Sequence, residues 1–159
     1  MRLLYTLIIY LLMPVVLFLL YRPRQGKPGF GVRWKEHFGF VNKTDGRSPL
    51  WIHAVSVGET IAVTPLIKEL KKCHPDLPIL LTTTTRTGAD QAARLGGLVE
   101  HRYAPLDYPG AVCRFLKQIQ PRALLIMETE LWPNLLAHCG QQKIDRKSTR
   151  LNSSHSDRS

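Results

Sequence analysis

The chain has 159 residues, of which 44% are hydrophobic and 21% charged, with 22 Lys+Arg against 12 Asp+Glu and a formal net charge of +10. Those values exclude a disordered chain, a collagen-like repeat and a polytopic membrane protein. Its three cysteines, Cys73, Cys113 and Cys139, are widely spaced and odd in number, which argues against a disulfide framework or a zinc knuckle and for a reducing compartment.

The first element expected is an apolar helix. Leu3 to Tyr21 holds 19 residues without a charge, and at about 1.5 Å per residue such a helix nearly spans a hydrocarbon core of about 30 Å. Residues 1–22 are therefore read as a membrane anchor. A cleaved signal peptide is the alternative, but the run ends in Tyr21-Arg22-Pro23 with no small-x-small cleavage site. Pro14 also admits a kinked helix lying obliquely in one leaflet. Arg22, Arg24, Lys27, Arg33 and Lys35 follow the segment and place the remainder on the cytoplasmic side, against anionic lipid. Residues 23–49 read as a basic linker with a short helix around Val32 to Phe38.

From Leu50 the pattern becomes regular. Apolar LWIHAVSV precedes helical GETIAVTPLIKELKKC; ILLTTTT precedes ADQAARL; EHRYA precedes GAVCRFLKQI; ALLIM precedes a last helix from about Pro133. These four βα units over residues 50–144 predict a Rossmann-like parallel sheet with helices on both faces. In a 3-2-1-4 strand order, the ends of the first and fourth strands meet at the ligand-binding crevice. Residues 145–159, DRKSTRLNSSHSDRS, carry five serines and one aliphatic residue and read as a disordered tail. Its wording resembles translated adapter sequence, so a non-native tail is expected, with a natural basic tail as the alternative. Without the tail's four Lys/Arg and two Asp the body still carries +8.

The candidate chemistry lies after the strands. Glu59 opens a helix behind the first strand, where a carboxylate can serve as a general base; Ser56-x-x-Glu59 is equally a capping box, in which Glu59 only folds back on the helix start. Glu128 ends the ALLIM run, where a carboxylate needs solvent, a ligand or a cation; its alternative is a solvated loop charge. Trp132-Pro133 reads as a helix entry. Thr82 to Thr85 with Arg86 offer hydroxyls and a guanidinium to an anionic or polyhydroxylated ligand, and β-propensity explains the threonine run as well. His53 reads as a core or rim histidine. The sequence has no GxGxxG, no P-loop and no HExxH, so no dinucleotide, P-loop nucleotide, metal or other cofactor is expected. The apolar segment makes lipid, rather than nucleic acid, the partner of the basic charge.

His53-Ala-Val-Ser-Val-Gly-Glu-Thr60, the TTTTRTG stretch to Gly88, Arg33-Trp34 with Glu36 and Gly39, and above all Met127-Glu-Thr-Glu-Leu-Trp-Pro-Asn134 resemble the bacterial 3-deoxy-D-manno-octulosonic acid (Kdo) transferases. The resemblance covers about residues 1–144. It implies the N-terminal, acceptor-binding domain of a GT-B glycosyltransferase at the cytoplasmic face of the inner membrane. Such enzymes transfer Kdo from CMP-Kdo to lipid IVA, a lipid A precursor, in lipopolysaccharide synthesis. It further implies that Glu59 is the proton acceptor and Glu128 a transition-state stabiliser, with Ser56, Gly58, Thr84 and Arg86 as substrate-binding candidates. Donor contacts would come from a second domain absent from these residues, so the chain alone is expected to be inactive. A membrane-tethered module that binds anionic lipid without catalysis is the competing reading, and a GT-B transferase with another acceptor is a third.

Overall fold

A computed structural model of the chain describes residues 2–21, 31–44, 47–127, 132–142 and 144–148. Five strands, β1 (Leu50–His53), β2 (Ile79–Thr83), β3 (Glu100–Tyr103), β4 (Ala123–Ile126) and β5 (Asp145–Ser148), form one parallel sheet in the order β3-β2-β1-β4-β5. Between them run α2 (Val57–Cys73), α3 (Arg86–Ala93), α4 (Pro109–Ile119) and α5 (Pro133–Gln141), and α1 (Arg2–Tyr21) precedes the sheet. The expected α/β fold and the 3-2-1-4 order of the first four strands are both present.

Side-chain alternation along β1 explains the two-sided core. Trp51 faces α4 and α5, among Phe115, Leu116, Leu124 and Leu135, with its ring 4.8 Å from that of Phe115. Ile52 and Ala54 face the other way, onto Val63 and Ile67 of α2 and Ala92 of α3. A strand buried on both faces must be apolar throughout, and each fully buried large side chain contributes about 1.5–3 kcal/mol.

The linker forms a 3-10 helix over Gly31–Phe38 that closes the outer edge of β3. Arg33 grips Glu36 through two hydrogen bonds of 2.7 and 2.9 Å, Glu36 accepts the Tyr103 backbone N–H at 2.7 Å, and Arg33 donates to the His101 carbonyl at 3.1 Å. An edge strand otherwise offers unpaired backbone groups to other chains. Gly39 ends this helix at φ +79°, and a Cβ there would lie 2.2 Å from the Ala111 carbonyl oxygen, so only glycine lets the linker seat on α4.

Two expectations are corrected. Residues 145–148 are not a disordered tail: they add β5 beside β4 in register Ala123↔Asp145 to Ile126↔Ser148. Parallel pairing uses backbone groups, so a polar DRKS segment can cover an edge that composition alone leaves open. Residues 149–159 lie outside the described residues. The second correction concerns the spanning anchor, since no helix among the described residues is long and apolar enough to cross a membrane. The 20 residues of α1 do form a helix, but polar groups bond it to the domain at both ends. Tyr5 donates to Asp107 at 2.8 Å, Thr6 to the Asn134 side chain at 3.1 Å, and the Tyr21 hydroxyl lies 2.9 Å from His37 Nδ1.

Candidate active site

Parallel pairing continues past the strands and gathers the four carboxyl ends. Ala54 N–H donates to Thr82 O (2.9 Å), Thr84 N–H to Val55 O (3.3 Å), Ala104 N–H to Thr83 O (2.9 Å) and Met127 N–H to His53 O (2.9 Å). The segments leaving this edge are Val55–Glu59, Thr84–Gly88, Ala104–Pro109 and the chain after Met127.

At the first of them Ser56 caps α2 and accepts the Glu59 N–H at 3.4 Å. The Glu59 carboxylate turns back: Oε2 accepts the Val55 N–H at 2.6 Å, and Oε1 accepts the Ser56 hydroxyl at 3.0 Å. The capping box is therefore formed, displaced by one residue because the carboxylate takes Val55 N–H rather than that of the cap itself. The group is half-buried, fixed at the helix start and aligned with its positive end. Each carboxylate oxygen retains a second lone pair for an incoming proton. Gly58 is exposed beside it, and a Cβ there would meet nothing nearer than Ser56 Oγ at 3.9 Å. Space for a ligand, not backbone conformation, is what a side chain at Gly58 would occupy.

The threonine run divides its work. Thr82 Oγ1 accepts Trp51 Nε1–H at 2.8 Å and lies 2.9 Å from His53 Nδ1; Thr83 Oγ1 lies 2.9 Å from His101 Nε2; Thr85 caps α3 by accepting Gly88 N–H at 3.1 Å. Three hydroxyls thus serve the fold. The Thr84 hydroxyl is buried and has no hydrogen-bond partner among the described residues. Arg86 is the first residue of α3, half-buried, and its charge acts on Tyr103. Glu128, the other acidic candidate, lies outside the described residues.

Two further features mark this edge: the first, His53, fits the core histidine read from the sequence, and the second was not read. His53 is wholly buried, and desolvation pushes its pKa down to about 4, so it is neutral at physiological pH. The Thr82 hydroxyl, which accepts the Trp51 N–H, lies 2.9 Å from His53 Nδ1; Nε2 is buried with no partner among the described residues, and the ring packs edge-on to that of Trp132 at 5.0 Å between centroids. His53 is thus a core histidine with only one nitrogen satisfied. The second feature is Asp107, which caps α5 from 27 residues away: Oδ1 accepts Leu135 N–H at 2.7 Å, and Oδ2 accepts Asn134 N–H at 3.2 Å beside the Tyr5 hydroxyl. Asp107 stands two residues before Pro109, in a turn between β3 and α4, and its partner helix was not legible from spacing. Surface hollows of about 420 Å³, bordered by Arg47, Lys71 and Pro78, and of about 600 Å³, bordered by Arg47, His74 and Arg122, lie at the amino ends of the strands, away from Ser56, Glu59 and Thr84.

Comparison with known proteins converges on one family. A family profile described as 3-Deoxy-D-manno-octulosonic-acid transferase (kdotransferase) matches residues 32–159. The match runs past residue 144, where the resemblance was expected to end. A 3-deoxy-D-manno-octulosonic acid transferase of Haemophilus influenzae is 39% identical over 138 residues, covering 85% of this chain and 32% of that protein. A probable mitochondrial one of Arabidopsis thaliana is 41% identical over 138 residues, 84% of this chain and 30% of that protein. One from Bordetella pertussis is 45% identical over 103 residues, 61% and 24% respectively. The chain spans about a third or less of the length of these curated relatives.

Proposed function

The chain belongs to the 3-deoxy-D-manno-octulosonic-acid transferase family, and from that premise we propose that it is the acceptor-side domain of a glycosyltransferase moving Kdo from CMP-Kdo to lipid IVA in lipopolysaccharide synthesis. The observation that carries this reading is the Glu59 carboxylate, held at the carboxyl end of β1 by Val55 N–H and the Ser56 hydroxyl. A sugar hydroxyl is a poor nucleophile at neutral pH, and a positioned carboxylate that takes its proton is worth about 10²- to 10⁴-fold. In the proposed step an acceptor hydroxyl oxygen bonds to the anomeric carbon of Kdo, CMP departs with the electron pair of the breaking bond, and Glu59 receives the hydroxyl proton. Glu128 stabilises the charge that develops. Ser56, Thr84, Arg86 and the open space beside Gly58 receive the acceptor headgroup. CMP-Kdo is bound by a second domain beyond these residues, and the domain works at the cytoplasmic face of the inner membrane, where the acceptor resides.

One observation favours a second reading. Both Glu59 oxygens already accept local donors, as they would in a lipid-binding module where Glu59 only caps a helix. The experiment that separates the two is transfer of labelled Kdo from CMP-Kdo to lipid IVA by the complete protein. Formation of Kdo–lipid IVA supports the enzyme; lipid IVA binding with no transfer supports the module.

A further inference from the structure

Arg33 and Glu36 of the linker helix hold no part in the proposed reaction, yet a hydrogen-bonded line runs from them to the candidate site. Glu36 fixes the guanidinium: Oε1 accepts Arg33 Nε–H at 2.7 Å and Oε2 accepts Nη2–H at 2.9 Å. Nη2 also lies 3.1 Å from His101 Nδ1. A guanidinium has only hydrogens to offer, so Nδ1 is the accepting nitrogen of the ring and the imidazole hydrogen sits on Nε2. Nε2 lies 2.9 Å from Thr83 Oγ1 and donates to it. The Thr83 hydroxyl in turn donates to the Thr85 carbonyl at 3.2 Å. Burial, with Arg33 and Arg102 nearby and against the opposing pull of Glu36, pushes the His101 pKa down to about 4, so the ring keeps this neutral form at physiological pH.

The line ends at the turn that launches α3. Thr85 caps that helix by accepting Gly88 N–H at 3.1 Å, and Arg86 is its first residue. Gly88 seats the helix start against the turn, since a Cβ there would lie 3.1 Å from both Thr83 Cβ and Thr85 Oγ1. Thr84 N–H donates to Val55 O at 3.3 Å, and Val55 N–H holds Glu59 Oε2 at 2.6 Å. The turn and the carboxylate are therefore registered on one residue, Val55. We propose that Arg33, His101 and Thr83 are positioning residues for acceptor binding, fixing the turn of Thr83 to Thr85 so that Thr84 and Arg86 are presented to the acceptor headgroup beside Glu59. Each link donates toward the site, and a reversed hydrogen at the ring would set donor against donor, so the line holds one direction. A clamp that only closed the edge of β3 would end at the Tyr103 N–H and the His101 carbonyl. The continuation through the ring to Thr83 and Thr85 serves nothing at that edge. The inference rests on the proposed transferase reading for the identity of the acceptor.

The test is steady-state Kdo transfer to lipid IVA by the complete protein, with lipid IVA binding measured beside it and folding checked by thermal melting. Thr83→Val keeps the shape of the side chain and removes the hydroxyl, whereas Thr83→Ser keeps the hydroxyl. Likewise His101→Phe loses both ring nitrogens, and His101→Gln retains an N–H to offer Thr83. The expected result is a KM for lipid IVA about five- to tenfold higher in Thr83→Val and His101→Phe, with kcat within about twofold of native. Thr83→Ser and His101→Gln should recover toward the native KM. A role in folding alone would lower the melting temperature and leave the KM of the folded enzyme unmoved. An unchanged KM in Thr83→Val, a fall in kcat at constant KM, or a serine variant as weak as the valine one would each overturn the inference. Absence of transfer by the native protein, with lipid IVA binding weakened in Thr83→Val and restored in Thr83→Ser, would contradict the transferase reading and uphold the positioning role.

Discussion

Replacing Asp107 by alanine removes a single carboxylate that joins three elements. The carboxylate accepts Leu135 N–H at 2.7 Å, Asn134 N–H at 3.2 Å and the Tyr5 hydroxyl at 2.8 Å. Loss of a helix cap costs about 1 kcal/mol, the negative charge at the α5 start about 0.3–1 more, and a stranded tyrosine hydroxyl about 1. Water can reach part of this site, so the whole loss is expected near 2–3 kcal/mol, not the full sum of isolated charged hydrogen bonds. Urea unfolding followed by circular dichroism should show a lower midpoint at unchanged slope. Limited proteolysis should also cut first after Tyr5 or Leu7 in the variant, because α1 loses its amino-terminal tie. Asp107→Asn, which keeps one acceptor oxygen, should fall between the two. A stability change under about 0.5 kcal/mol with α1 still protected would refute the account of this junction.

Two further outcomes follow from other parts of the structure. Burial pushes His37, His53 and His101 down to about 4, against about 6.5 in the unfolded chain. Because the unfolded chain binds more protons between those values, the stability they confer is complete above about pH 6.5 and is lost as pH falls toward 4, each with a slope of at most about 1.4 kcal/mol per pH unit; urea midpoints at pH 7.5, 5.5 and 4.5 that do not fall would contradict it. Gln120 ends α4 at φ 48°, a left-handed position that disfavours a side chain. Gln120→Gly is expected to stabilise the domain by about 0.5–1 kcal/mol in the same assay, and a destabilised variant would count against strain at this turn.

Much of this fold was legible because turn signals separate runs of opposite period: β1 to β4 and their helices fall where hydrophobic patterning puts them, and the four carboxyl ends meet as the 3-2-1-4 order requires. β5 was not legible, since a DRKS segment has no apolar pattern and pairs through its backbone. The α1 face was misread for a physical reason. Hydropathy averages over a window and so sees an anchor, whereas its docking depends on Tyr5, Thr6 and Tyr21, whose partners lie in a distant loop, at the start of α5 and in the linker. At the candidate site the hydrogen-bond partners of the threonines were not legible. Nothing in a run of four threonines says that Thr82 serves Trp51, Thr83 serves His101 and Thr85 caps a helix, leaving Thr84.

Glu59 is where capping and catalysis can be told apart. Glutamine is accepted at this position of a capping box and keeps an oxygen for Val55 N–H, but it cannot take a proton from a sugar hydroxyl. The measurement is kcat for Kdo transfer to lipid IVA by the complete enzyme, native against Glu59→Gln, with unfolding free energies of both in parallel. The account predicts a kcat lower by about 10²- to 10⁴-fold at a stability cost below about 1 kcal/mol. Equal kcat values, or a loss of activity matched by unfolding, would contradict it.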